Sequence, residues 1–338
     1  MSAPQKRRFL VFGSGSIGRR HAANLLSLHA GEVMAFDPLP QRRAELTAQT
    51  GITCVESMEA AWDWNPDVAL ITSPTSLHLS LALEAAQHGC HLFIEKPLAD
   101  RLDGLAELEN LVKAKQLVSL IGCNMRFHPG LQRAKQLLAA GTIGKVCAIQ
   151  AEFGQHLPDW RPQDDYRKSY SARRELGGGV ILDVIHELDY LRWLMGEVTT
   201  IHAFADHVSH LDINTEDVAA ILLRFANGAI GTANLDYIQR AYHRTCRIIG
   251  EQGTITWDYA AGKITWFTAN TKVWQQEPNP AGWLPNQMYV DELKHFLACL
   301  DGQAASTNDV AQAHRVLQLA LAARESSRIG QNITWPSS

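Results

Sequence analysis

Residues 8–18 read Arg8-Phe9-Leu10-Val11-Phe12-Gly13-Ser14-Gly15-Ser16-Ile17-Gly18. The unbroken apolar run up to Phe12 suits a strand buried on both faces, as in a parallel sheet covered by helices on either side. Glycine then stands at 13, 15 and 18, the GxGxxG spacing, and residues 17–28 carry a helical pattern. The motif takes its meaning from that order of strand, turn and helix. Gly13 permits the tight turn, Gly15 lets the backbone approach a pyrophosphate, and Gly18 lets helix and strand pack closely. Ser14, Ser16 and Ile17 complete the turn, where the unpaired N–H groups of a helix N-terminus favour phosphate. Asp37 ends the next strand, 19 residues after Gly18. An acid there accepts hydrogen bonds from the adenosine ribose and repels a 2′-phosphate. That favours NAD, while Arg42 and Arg43 nearby leave NADP open.

Outward from this turn, apolar strand patterns recur at 33–36, 53–55, 68–72, 91–94 and 118–122. Helical patterns fall between them at 40–49, 75–88 and 101–115. The alternation predicts an α/β fold, with an N-terminal Rossmann domain, a doubly wound parallel sheet, over 1–124. After Asn124 the rhythm changes. Residues 129–140 read as a helix and 146–152 as a strand. A polar, aromatic stretch at 154–176 has the look of a functional loop. Gly177, Gly178 and Gly179 open an apolar helix to about Met195. Extended runs punctuated by Asn227-Gly228, Gln252-Gly253 and Ala261-Gly262 follow, and two helices close the chain. Residues 125–338 are expected to form a C-terminal α/β domain with a largely antiparallel sheet.

The 338 residues carry 31 Lys and Arg against 35 Asp and Glu, a net charge of −4. This argues against broad nucleic-acid binding, which needs a basic surface. The six cysteines form no CxxC pair and no zinc-finger spacing, so no metal is expected. The first apolar run, four residues long, falls short of the ~7–15 of a signal peptide. No uncharged run reaches the ~18 residues of a membrane span. The expectation is a cytoplasmic chain without membrane contact.

Several stretches in order carry a resemblance: GSGSIGRRHA at 13–22, TSPTSLH at 72–78, FIEKPLA at 93–99, NMRFHP at 124–129, GTIGKV at 141–146 and GGGVILDVIHELD at 177–189. A late Tyr289…Glu292…Phe296 pattern completes them. The sequence resembles the Gfo/Idh/MocA family of sugar and cyclitol oxidoreductases, over nearly its whole length. The resemblance implies an NAD(P) domain, a C-terminal domain with an open antiparallel sheet, and a homodimer or homotetramer packed through one sheet face. The tryptophans at 257, 266, 274 and 283 read equally as that interface or as core.

Lys96 follows the fifth strand, at the carboxyl edge where open α/β sheets bind ligands. A partly desolvated amine there can exchange a proton with a substrate hydroxyl. The resemblance makes Lys96 catalytic or substrate-orienting and places Glu95 near the nicotinamide. Asp183 and His186 stand three apart on the predicted helix, hence on one face. An imidazole can take or give a proton near neutral pH, and a carboxylate can fix its tautomer. The resemblance makes His186 the general acid/base, with Asp183 orienting it or binding a substrate hydroxyl, although the family spacing is four. It also brings the loop of Ser73, Pro74 and Thr75 to the nicotinamide ribose. His78 belongs there either as a cofactor neighbour or as a packing residue. Asn124 and Arg126 are expected to border nicotinamide or substrate, while Asp189 reads as a structural cap or pair.

In the 154–176 loop, Trp160 and Tyr166 offer faces for a sugar ring, and Arg161 and Arg167 offer forks for an anionic group. These groups suit a polyol or sugar that carries an anionic group; together with the resemblance they imply a sugar, amino sugar, sugar acid or cyclitol as substrate, oxidised at a secondary hydroxyl with hydride passing to the cofactor. Two other readings stay open: an NAD-dependent glycosidase with transient sugar oxidation, and a non-catalytic cofactor sensor.

Overall fold

The protein is described by a computed structural model covering residues 6–335. The apolar run at 9–12 is completely buried. It forms the centre of the first unit, which runs to Asn124 and resumes over Pro285–Arg315. Its elements are β1 (Arg8–Phe12), α1 (Ser16–Ser27), β2 (Glu32–Phe36), α2 (Pro40–Thr50), β3 (Thr53–Val55), α3 (Met58–Asp63), β4 (Val68–Ile71), α4 (His78–Gln87), β5 (His91–Glu95), α5 (Leu105–Ala114) and β6 (Ser119–Gly122). The strands lie in the order β3-β2-β1-β4-β5-β6, all parallel. This is the doubly wound arrangement, and it puts the residues that follow β1, β4 and β5 at one edge of the sheet.

The second unit spans Met125–Leu284 and the chain from Val316 on. It contains α6 (Pro129–Ala139), β7 (Val146–Gly154), α7 (Val180–Asp183), α8 (His186–Met195), β8 (Val198–Asp206), β9 (Val218–Phe225), β10 (Ile230–Asp236), β11 (His243–Gly250), β12 (Gly253–Asp258), β13 (Lys263–Thr268) and β14 (Trp274–Pro278). The remaining elements are α9 (Asn286–Leu300), α10 (Val310–Ile329) and β15 (Ile333–Thr334). The nine strands run β14-β13-β12-β11-β7-β10-β9-β8-β15, and only β7 and β10 pair in parallel. Burial alternates along β9 and β10, the period-2 signature of a sheet covered on one face. α6 and α8 lie against the sheet. Trp257 and Trp266 are buried core, whereas Trp274 stands exposed on the outermost strand β14.

Two expectations are corrected. The second domain does not take all of 125–338. α9 belongs to the first unit, because Leu293 and Phe296 join the core of Phe9, Leu25 and Phe93. The ring of Phe296 lies 5.6 Å from that of Phe93. Nor is 180–195 one helix: α7 ends at Asp183 and α8 begins at His186. Val184, with φ −100 and ψ 32, interrupts the helical backbone.

His128 caps α6 through Nδ1, which accepts from the Gly130 N–H at 3.0 Å. That bond puts the ring proton on Nε2, which is buried without a hydrogen-bond partner. The rings of Trp257, Tyr259 and Trp283 enclose it at 5.0, 5.2 and 4.9 Å. Burial, and then the charge of Arg244, push its pKa down to about 3. In the unfolded chain the same imidazole titrates near 6.5. Between those values only the unfolded state binds the proton, so this contribution to stability is complete above about pH 6.5 and is lost as the pH falls towards 3. The expected slope is up to ~1.4 kcal/mol per pH unit. Asparagine keeps the cap and cannot titrate, so His128→Asn should remove about one proton from the pH dependence of unfolding. Urea midpoints at several pH values check this; an unchanged slope would refute it.

Candidate active site

The glycine turn begins where β1 ends. Gly13 has φ +100, and its N–H donates to the Phe36 carbonyl at 2.8 Å. A Cβ on Gly18 would stand 1.9 Å from the Gly13 oxygen, so only glycine allows α1 to approach the turn this closely. Gly15 differs. A Cβ there would meet nothing within 4 Å, and its φ of −68 suits any residue. Packing therefore does not require glycine at 15; open space lies in front of it. Gly15 caps α1 with no side-chain hydrogen bond, and the first turn holds no acid. Such a terminus offers N–H groups and partial positive charge to a phosphate.

Asp37 is buried beside this turn. Its carboxylate accepts from the Ser14 N–H at 2.7 Å and from the Leu39 N–H at 2.9 Å. The Arg42 guanidinium is 3.9 Å away, so the acid expected to face a ribose has a cation for a neighbour. The Ser14 hydroxyl and the side-chain Oδ1 of Asn124 are buried without partners. A dinucleotide fits this set: a cradle that a Cβ would fill, an uncapped helix end, an acid after β2 and orphaned polar atoms. With Gly15→Ala, we expect an unchanged melting temperature for the ligand-free chain and NADH affinity at least ~10-fold weaker, about 1.4 kcal/mol. A fluorescence titration reads the affinity; unchanged binding would place the pyrophosphate elsewhere.

Lys96 is half-buried directly after β5, and its backbone N–H donates to Glu95 Oε2 at 3.2 Å. Glu95 Oε1 is 2.6 Å from His21 Nε2. The Lys96–Pro97 peptide is cis. Ser73, Pro74 and Thr75 follow β4 as expected, Thr75 opening a 3₁₀ turn and His78 beginning α4. His78 does not point into open space. It is buried, with Nδ1 2.8 Å from the Pro97 carbonyl and Nε2 2.9 Å from the Ser73 carbonyl. Burial lowers its pKa against the two carbonyls, which raise it.

In the second unit His186 leads α8, and two buried ion pairs hold the helix behind it. Glu187 accepts from Arg244 at 2.7 and 3.1 Å, and Asp189 accepts from Arg126 at 2.8 and 2.7 Å. Asp189 therefore serves the structural role expected of it. Arg126, expected beside the ligand, is only 2% exposed and commits both prongs of its fork to Asp189. Asp183 is buried, and its carboxylate accepts from the hydroxyls of Tyr170, of Ser171 at 2.6 Å and of Tyr237 at 3.1 Å. It thereby ties the 154–176 segment to the end of β10. Burial, and then the charge of Asp183, hold the Tyr237 hydroxyl well above its usual pKa. The break in the helix at Val184 removes the helical argument that put Asp183 and His186 on one face.

The loop itself is a string of 3₁₀ turns. Trp160 packs edge-on against Phe153 and Tyr237 at 5.8 and 5.4 Å and donates to the Gln155 carbonyl at 3.1 Å. The Tyr166 hydroxyl accepts from the Asp212 N–H at 3.1 Å. Arg167 forks onto Asp165 at 2.7 and 3.0 Å, so the group expected to meet an anionic substrate already has a carboxylate. Arg161 is exposed. Among the described residues, no cluster of His, Cys, Asp and Glu could hold a metal ion.

Sequence reasoning missed His21, Tyr170, Ser171 and Tyr237 as partners of the site acids. Tyr170 and Ser171 lie in a stretch already singled out as functional. Nothing local marks His21 or Tyr237.

Residues 7–123 match the oxidoreductase family with an NAD-binding Rossmann fold, and 131–256 match the GFO/IDH/MocA C-terminal domain. The myo-inositol 2-dehydrogenase of Thermotoga maritima is 30% identical over 260 residues, 73% of this chain and 74% of that protein. The NAD(+)-dependent scyllo-inositol 2-dehydrogenase of Bacillus subtilis is 27% identical over 338 residues, covering 96% of this chain and 95% of its own. Levoglucosan dehydrogenase in complex with NADH shares the fold, with a TM-score of 0.89 at 21% identity over 99% of this chain and 100% of that one.

Proposed function

The chain belongs to the Gfo/Idh/MocA oxidoreductase family, and we propose that it reversibly oxidises a secondary hydroxyl of a cyclitol or sugar with NAD. Its first domain is an NAD-binding Rossmann domain. The turn of Gly13 to Gly18 would hold the pyrophosphate and Asp37 the adenosine ribose, with Ser73, Pro74, Thr75, Glu95 and Asn124 towards the nicotinamide end. Bound there, the nicotinamide supplies the hydride acceptor. His186, assisted by proton exchange with Lys96, would remove the hydroxyl proton as the hydride leaves the same carbon, and return it in the reverse direction. Trp160, Arg161 and Tyr166 contribute to substrate binding. Asp183 acts by holding the loop that carries Tyr170 and Ser171.

The observation that carries this reading is Lys96, a half-buried amine directly after β5 in the sheet whose glycine turn fits a dinucleotide. Sugar and cyclitol dehydrogenases are what the chain is similar to, and this favours net oxidation over the glycosidase reading. Incubating the protein with NAD and myo-inositol, scyllo-inositol, levoglucosan and a set of sugar acids should make NADH absorbance rise with at least one of them. Release of the phenol from aryl glycosides with no NADH would overturn the proposal.

The protein is also proposed to assemble as a homodimer or homotetramer through the uncovered sheet face. There Phe204, Leu222 and Ile230 are 70%, 52% and 40% exposed on neighbouring strands. Light scattering on Phe204→Asp, read against the parent, tests this. No helix among the described residues is long and apolar enough to cross a membrane.

A further inference from the structure

Two buried imidazoles flank the Glu95–Lys96–Pro97 turn, and the proton transfer proposed above uses neither. His21, on α1, is wholly buried, its ring 4.9 Å from Phe93 and 5.9 Å from Tyr289. Its Nδ1 is buried without a partner, so the favourable tautomer carries the proton on Nε2 and donates to Glu95 Oε1 at 2.6 Å. Glu95 passes this restraint on, because its other oxygen accepts the Lys96 N–H at 3.2 Å. Gly122 closes the far side: a Cβ there would stand 3.1 Å from the Glu95 carboxylate. Tyr289 is itself held from outside, with the Arg20 guanidinium 4.5 Å from its ring.

The other flank belongs to His78. Its Nδ1 reaches the carbonyl of Pro97, the residue after Lys96, at 2.8 Å. A neutral ring, which burial favours, has one N–H; placed on Nδ1 it donates to Pro97, and Nε2 then stands 2.9 Å from the Ser73 carbonyl without a bond to it. The backbone is thus restrained immediately before the lysine, through its N–H, and immediately after it, through the next carbonyl. A long flexible side chain transfers a proton efficiently only if its root is fixed, and a displacement of about 1 Å at such a site can cost ~10²-fold in rate.

We infer that His21 and His78 are positioning residues for Lys96, holding its turn from the two flanks through Glu95 and Pro97. This rests on the reading of Lys96 as the proton-transferring amine.

Each histidine has a leucine variant that removes the bond and an amide variant that keeps it. Glutamine puts its Nε2 near the position of the His21 Nε2, and asparagine puts its Nδ2 near the His78 Nδ1. With NAD and whichever of myo-inositol, scyllo-inositol and levoglucosan turns over fastest, His21→Leu and His78→Leu should lower kcat by ~10–100-fold. KM for NAD should stay within about twofold. His21→Gln and His78→Asn should recover kcat to within about fivefold of the parent. If the leucine variants fold, as judged by melting temperature, and keep parental kcat, the inference is wrong. It is equally wrong if the leucine and amide variants fall together. Lys96→Ala, run in parallel, separates the two ideas: full turnover in that variant removes the reading of Lys96 itself, whatever the histidines do. A second readout needs no substrate. After ¹³C reductive methylation, the Lys96 resonance, assigned by its loss in Lys96→Arg, should shift or broaden in the leucine variants and return in the amide variants. One unchanged resonance throughout would overturn the inference.

Discussion

Lys96→Ala is expected to lower kcat by ~10²- to 10⁴-fold, the range that a positioned proton-transfer group contributes. The amine follows β5 directly and is half-buried, so it has the placement this chemistry needs. The glycine turn that fits the cofactor lies at the end of a different strand. NADH binding should therefore survive the substitution, and the loss should appear in kcat rather than in KM for NAD. Lys96→Arg should not rescue the rate, because a guanidinium keeps its proton at any working pH. Steady-state NADH formation and a fluorescence titration of NADH together check this. A variant with near-parental turnover would remove Lys96 from the proton path.

The second large effect is on stability. Asp189→Ala should destabilise the chain by ~3–5 kcal/mol, the cost of leaving one partner of a buried ion pair without its counter-charge. The two side chains are 3% and 0% exposed and meet in a two-pronged contact, so no solvent is at hand to replace the lost acid. Replacing both Arg126 and Asp189 with apolar residues of similar size should cost less than Asp189→Ala alone, since no charge is then stranded. Because α8 begins with His186, activity should fall together with stability in the single variant. Urea unfolding of the parent, the two single variants and the double variant measures the coupling. A single-variant loss below ~1 kcal/mol would mean that the pair behaves as an exposed one.

The legible parts of the sequence are those whose cause is local. The glycines at 13 and 18 announce a turn that no other residue fits, and continuous apolar runs announce buried parallel strands. The strands of the second sheet are legible as extended runs set off by turn pairs such as Asn227-Gly228, whereas the alternation of burial along them shows only in the fold. The interrupted helix at 184–185 was not legible, because its residues are individually compatible with an unbroken one. The fork of Arg167 looked available for a substrate, yet Asp165, two residues earlier, takes it.

The sequence by itself determined the doubly wound first domain, the antiparallel second sheet and the dinucleotide turn, since these follow from spacing and periodicity along a few tens of residues, and it carried the family resemblance through motifs spread from residue 13 to residue 296. Tertiary structure alone decided which charges are tools and which are ties. Arg126 meets Asp189 across 63 residues, Tyr237 meets Asp183 across 54, and His21 meets Glu95 across 74. It also decided that α9 packs in the first unit. The physical reason is range: backbone geometry is set by neighbours in the chain, whereas the partner of a buried polar group is set by whichever distant segment folding brings within about 3 Å.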